Sequence, residues 1–241
     1  MLAPKMKSRS FIGVLVALIG LLILAPLVVL FTPWITDGLL WRFERFAPRP
    51  ALSQRILERQ EHNNDLWQDR FIPAGSVLLF GDSHFQSLPR VGLAGMYNFA
   101  INGQSVGRMI DRVPQFSSVP VAALIFIVGG ENDLAEGTSV KDVETHWVKL
   151  LSRLSKKSNV VCVGLPETNG QRMHADAVPT LNQAIERICN ASGAEYMSVR
   201  MGVGIFLNQE LSEDHVHLSI PGMKIFSNEL LRRANIARKL V

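Results

Sequence analysis

From Ser76 onward, short unbroken apolar runs alternate with segments of helical spacing, and this alternation constrains the fold more than any other feature of the chain. Val77–Phe80, Tyr97–Ala100, Ala122–Val128, Val160–Gly164 and Glu195–Val199 read as strands. Several are apolar at successive positions rather than at every second one. A strand of that kind is covered on both faces, as in a parallel sheet between helical layers. Between the strands, Val106–Phe116, Ser139–Lys157 and Val178–Ala191 repeat apolar residues at helical spacing. Ser139 suits the N-cap of the second, and Lys156 and Lys157 complement the negative end of its dipole. A last helix begins after Ser219, with Pro221 in its first turn and Met223, Phe226, Leu230 and Ala234 on one face. The expected fold class is therefore α/β, a three-layer domain over residues 76–241 with a parallel sheet.

A different kind of segment precedes it. Phe11 to Phe31 is an apolar run without a charged side chain. At 1.5 Å per residue a helix of about 21 residues spans about 31 Å, which matches the hydrocarbon core of a bilayer. Gly13, Gly20 and Pro26 are tolerated in such a setting. The alternative is a cleaved signal peptide. Its apolar region is shorter, about 7–15 residues, and Leu30-Phe31-Thr32-Pro33-Trp34 lacks the small-x-small pattern of a cleavage site. Residues 1–32 are thus expected to be a cytoplasmic tail and a transmembrane signal-anchor, and 33–75 a juxtamembrane connector that includes a helix over Ala51–Trp67. Lys5, Lys7 and Arg9 lie ahead of the span, Arg42 and Arg45 behind it, and Trp34 and Trp41 suit the far interface. This bias predicts a single-pass membrane protein with its catalytic domain extracytoplasmic, periplasmic in a bacterium.

Setting aside the three basic residues of the tail, 22 basic side chains remain against 21 acidic ones from totals of 25 and 21. A near-neutral body excludes an electrostatic footprint for nucleic acid. Cys162 stands in an apolar strand and Cys189 in a helical pattern, so both read as buried free thiols; a disulfide in an oxidising compartment is the alternative. No Cys/His spacing suggests a metal site.

Ligands of open parallel sheets bind beyond the carboxyl ends of the strands, and polar clusters stand at those places. Gly81-Asp82-Ser83-His84 directly follows Val77–Phe80. Glycine lets the chain turn sharply, and a serine there faces the crevice from a helix start whose N–H groups suit an anion. Alone, the cluster is equally a capped helix start. Asn102-Gly103 follows Tyr97–Ala100 and by itself is a turn. Gly129-Gly130-Glu131-Asn132-Asp133 follows Ala122–Val128 and sets a side-chain amide beside two glycines. Asp214-His215-Val216-His217 stands before the last helix. A carboxylate three residues ahead of an imidazole can hold the ring in one tautomer across a turn, although a surface pair has the same spacing.

In that order, GDS, Gly, GxND (Gly130-Glu131-Asn132-Asp133) and DxxH, the four blocks resemble those of the SGNH hydrolases, the GDSL lipase/esterase family. The resemblance implies a flavodoxin-like αβα sandwich of about five parallel strands. It implies serine-dependent ester hydrolysis with neither metal nor organic cofactor. Carried across, Ser83 is the nucleophile, His217 the general base and Asp214 the residue that orients it. The Ser83 and Gly103 backbone N–H groups and the Asn132 amide form the oxyanion hole. Acyl transfer needs this set, because a serine hydroxyl is a weak nucleophile without a base and the tetrahedral oxyanion needs preorganised donors. No GxSxG elbow is present, which argues against an ordinary α/β-hydrolase.

His84 stands where many members have Leu, and by resemblance GDSH raises the weight of sugar O-acyl substrates. From the residues alone His84 is expected to be an exposed helix residue, and no role falls to His84, His146, His174 or His215. The expected substrates are carboxylic esters, with O-acetyl groups on envelope glycans or lipids among them. The alternative is an O-acyltransferase that passes the acyl group to a sugar hydroxyl with the help of an envelope partner protein. A non-catalytic binding module is disfavoured, since every catalytic position is filled. Substrate selection is expected from the loops Glu167–Asp176 and Gly202–Glu213.

Overall fold

In a chain built this way the sheet sets the frame for the site. The computed structural model describes residues 52–88, 95–154, 159–166, 176–199, 211–212 and 216–238. The sheet and the helices packed on it belong to the unit Gln54–Val241. Phe11–Phe31, the expected anchor, lies outside the described residues, and among those residues no helix is long and apolar enough to cross a membrane.

The five strands are β1 (Val77–Phe80), β2 (Met96–Asn98), β3 (Leu124–Val128), β4 (Val160–Val163) and β5 (Glu195–Met197). All pair in parallel in the order β2-β1-β3-β4-β5. This is the doubly wound order in which a crevice opens at the carboxyl ends beside β1 and β3. The three central strands β1, β3 and β4 are buried at every residue, as their unbroken apolar runs require. The helices are α1 (Leu52–Asp69), α2 (Ser83–Gln86), α3 (Val106–Arg112), α4 (Glu131–Ala135), α5 (Val140–Ser152), α6 (Ala177–Ser192) and α7 (Ile220–Arg238). Helix α5 packs against α3 and α6, and Trp147, its largest side chain, is fully buried. Phe226, Leu230 and Ala234 of α7 are buried and Met223 packs against the core, as the sequence pattern predicts.

Differences from the sequence expectation lie at element ends and in two side-chain environments. β2 stops at Asn98 because its side chain accepts from Ala100 N at 3.0 Å, which turns the chain out of the ladder. α3 stops at Arg112 and continues as a 3-10 turn, Val113–Gln115, because Pro114 lacks an N–H and disfavours helical backbone before it. Ser139 does cap α5, accepting from Asp142 N, but the helix ends at Ser152, and Lys156 and Lys157 lie outside the described residues. The cysteines are buried as expected but not free: Cys162 of β4 and Cys189 of α6 form a disulfide. α6 covers β4 closely enough to bring their Cα atoms to 6.4 Å, within the range a disulfide can span.

Helix α1 is inverted relative to an ordinary surface helix. Ile56, Leu57 and Trp67 are exposed, with Phe71 just beyond its end, whereas Glu58, Asp65 and Asp69 are buried. The three acids stand seven and four residues apart and so share one stripe. Asp69 accepts from the backbone N–H and hydroxyl groups of both Ser117 and Ser118, which ties the end of α1 to the loop before β3.

Candidate active site

The turn that ends β1 positions Ser83. Gly81 passes so close to β3 that a Cβ would lie 2.4 Å from Val128 Cγ1 and 2.8 Å from its carbonyl oxygen, so no side chain fits. Asp82 has extended backbone and caps α2, its carboxylate accepting from His84 N at 3.0 Å. Ser83 follows as the first residue of α2, half-buried at the carboxyl edge of the sheet.

His217 arrives from the far end of the chain. Ser212 and Leu218 form an antiparallel bridge, and Ser219 N donates to Leu211 O at 2.9 Å. Val216 and Leu218 are buried on either side, so the alternation of extended backbone turns His217 away from them. Its Nε2 lies 3.0 Å from Ser83 Oγ. Asp214 and His215 lie outside the described residues, as does most of the two loops expected to select the substrate.

The other two sites of expected chemistry converge on the same turn. Ile101 N donates to Gly81 O at 2.9 Å, which brings the chain leaving β2 alongside the GDS turn. A turn over Ile101–Gln104 follows, closed by Gln104 N to Ile101 O at 3.1 Å, with Gly103 at φ +72°, a backbone that favours glycine. Asn132 is the second residue of α4, whose N-cap is Gly130. Its Nδ2 lies 3.3 Å from Gln104 O and 3.4 Å from Asp82 Oδ2, between the two turns. Asp133, next along, accepts from Val106 N at 2.7 Å and Gly107 N at 3.3 Å, and its carboxylate lies 3.1 Å from His146 Nδ1. That carboxylate fixes the start of α3 and holds His146 in a packing role.

His84 is not exposed. It is 5% accessible, with Nδ1 3.0 Å from Asp82 Oδ1 and Nε2 3.3 Å from Glu131 Oε2. A one-turn helix offers no solvent face here, since Asp82 and Glu131 close on the ring from its two nitrogens. Buried carboxylates require such partners. The His84 ring centre is 6.1 Å from that of His217, so this buried group adjoins the Ser83–His217 pair.

Sequence reading assigned nothing to Arg108 and Arg112 of α3, yet both hold the Gly103 turn. Arg108 donates to Gly103 O and to Glu136 Oε1 at 2.7 Å, and its Nε lies 3.0 Å from Glu58 Oε2 of α1. Arg112 donates to Gln104 Oε1 at 3.0 Å, to Phe99 O at 2.7 Å and to Asp65 Oδ2 of α1 at 2.7 Å, and its guanidinium lies over the Phe80 and Phe116 rings. Burial lowers the Arg112 pKa to about 10, with Asp65 opposing the shift, so the group stays cationic at neutral pH. The available signal was two arginines four apart in the short helix α3, together with the acidic stripe of α1.

A sequence model of the GDSL-like Lipase/Acylhydrolase family matches residues 79–225, which include Ser83, Gly103, Asn132, Asp214 and His217. Among curated proteins none matches the chain. Many solved structures share the fold, among them the following three. One from Streptococcus pneumonia, named for platelet activating factor, has a TM-score of 0.61 at 19% identity, covering 77% of this chain and 100% of that one. A GDSL-like lipase from Bacteroides thetaiotaomicron has a TM-score of 0.57 at 18% identity, covering 73% and 98%. A catalytic mutant of an acetylxylan esterase from Geobacillus stearothermophilus has a TM-score of 0.53 at 16% identity, covering 68% and 95%. Identities this low speak for the fold; the family match spans more than half of the chain, which therefore belongs to the GDSL-like lipase/acylhydrolase family and is an ester-cleaving serine hydrolase.

Proposed function

We propose that the protein removes acyl groups, acetyl among them, from glycan or lipid esters through an acyl-enzyme on Ser83. The observation that carries the reading is the 3.0 Å separation of His217 Nε2 from Ser83 Oγ. In the proposed cycle the Ser83 hydroxyl donates to His217 Nε2, and its proton passes there as Oγ attacks the ester carbonyl. The resulting oxyanion accepts from the Ser83 and Gly103 N–H groups and from Asn132 Nδ2. Collapse breaks the bond to the alcohol, which leaves with the proton from His217. A water, deprotonated by the same imidazole, then frees the carboxylic acid and restores Ser83. Asp214, three residues before His217, orients the imidazole and stabilises its cation.

Two features support a sugar O-acyl ester as substrate: the fold shared with an acetylxylan esterase and the His of the GDSH block. The proposed setting is extracytoplasmic, on a single-pass anchor formed by Phe11–Phe31. A Cys162–Cys189 disulfide supports this, because disulfides persist in oxidising compartments.

The test gives the purified protein an acetylated oligosaccharide, with and without unacetylated acceptor, and follows free acetate and acetylated sugar by mass spectrometry. Acetate release that acceptors do not divert is the expected result. Negligible release without acceptor, restored as acetylated sugar when one is added, would assign the same residues to an O-acyltransferase instead.

A further inference from the structure

The loop from Phe99 to Ser105 carries the Gly103 N–H, and its Gln104 carbonyl accepts from Asn132. Two of the three proposed oxyanion donors thus depend on where this loop sits. Backbone bonds shape it, Ile101 N to Gly81 O, Ala100 N to Asn98 Oδ1 and, across the turn, Gln104 N to Ile101 O. Two arginines of α3 bind the same loop through their side chains: Arg108 on Gly103 O, Arg112 on Phe99 O and Gln104 Oε1. An arginine side chain is long and has many rotamers, so it fixes a loop only if its other N–H groups are themselves held. Here they are held from α1. Asp65, fully buried, takes Arg112 Nη2 at 2.7 Å, and Glu58, two turns earlier on the same stripe, lies 3.0 Å from Arg108 Nε.

We propose that Asp65 and Glu58 are positioning residues for the oxyanion hole, acting through Arg112 and Arg108, so that helix α1 ahead of the first strand is part of the catalytic apparatus. The inference rests on the proposed role of the Gly103 N–H and Asn132 amide. An oxyanion donor contributes through its placement relative to the charge that develops, and small displacements are felt in the chemical step and little in ground-state binding. Helix α1 shares no contact with Ser83 or His217 among the hydrogen bonds described, which makes its effect on turnover a distinctive consequence of the clamp.

The experiment uses the full chain. Active sites are titrated to completion with a fluorophosphonate, and kcat and KM for an acetyl ester are then expressed per titrated serine, which removes any contribution from misfolded protein. Asp65→Asn and Glu58→Gln are expected to lower kcat per titrated serine by about 10-fold with KM changed by less than about 2-fold. Values of kcat within about 2-fold of wild type, or a change confined to KM, would overturn the proposal. Should Asp65→Asn yield no titratable serine, Glu58→Gln decides alone by the same numbers, since Arg108 retains its ion pair with Glu136 and the fold is spared an unpaired buried charge. Ser83→Ala run alongside separates the two levels. Label on that variant would overturn the functional reading and the clamp together, whereas its absence with unchanged Glu58→Gln kinetics would overturn the clamp alone.

Discussion

Asn132 offers one amide to two acceptors, Asp82 Oδ2 and Gln104 O, both at the long end of hydrogen-bond distance. Such loosely held donors are free to tighten on an oxyanion, which is where the proposed chemistry needs them. Asn132→Ala is therefore expected to lower kcat by about 100-fold or more with KM nearly unchanged in steady-state kinetics. His217→Ala should lose nearly all turnover and His215→Ala should keep most of it; the reverse would move the base by two residues. His84 supports the same turn without touching the reacting atoms. Its removal leaves Asp82 and Glu131 short of a buried partner, so His84→Ala should cost about 1–3 kcal/mol in urea denaturation. The blocks that hold Ser83, Gly103, Asn132 and His217 could be located in the sequence because each stands at a strand exit or before a helix, while the role proposed for each came from the order of the four blocks and their resemblance to a family. The burial of His84 was not legible there, because the residue that covers it, Glu131, lies on another strand exit 47 positions away.

Among the elements, the central strands announce themselves because burial on both faces leaves no room for polar residues, and the apolar stripe of α7 does so through helical spacing. Helix α1 misleads for the opposite reason. Glu58, Asp65 and Asp69 are buried while Ile56, Leu57 and Trp67 are exposed, so composition does not disclose that three carboxylates bind the helix to α3 and the loop before β3. Breaking such a buried pair on one side leaves a charge uncompensated. Asp65→Asn should therefore lower stability by about 3–5 kcal/mol, read from chemical denaturation, more than any exposed pair such as Arg153–Asp111 would yield. The disulfide joins β4 to α6 across 27 residues of sequence. Its removal in a Cys162→Ala, Cys189→Ala double variant should cost about 2–4 kcal/mol by the same measurement while kcat is retained. Pairing of the cysteines was not readable beforehand, because it depends on the packing of a helix over a strand rather than on spacing.

Across the whole molecule, four loops from distant parts of the chain meet at the carboxyl edge of one parallel sheet, as the strand order β2-β1-β3-β4-β5 requires. GDS leaves β1, the Gly103 turn follows β2, Asn132 follows β3, and His217 precedes the last helix. Membership of the hydrolase family and the 3.0 Å contact between Ser83 and His217 both support the proposal that Ser83 is the residue acylated in turnover. Covalent labelling tests it most directly. A serine-directed fluorophosphonate, followed by peptide mass spectrometry, is expected to modify the wild-type protein once, at Ser83, with loss of esterase activity in step with labelling. Ser83→Ala should take no label and turn over no ester; label or turnover persisting in that variant would contradict the account.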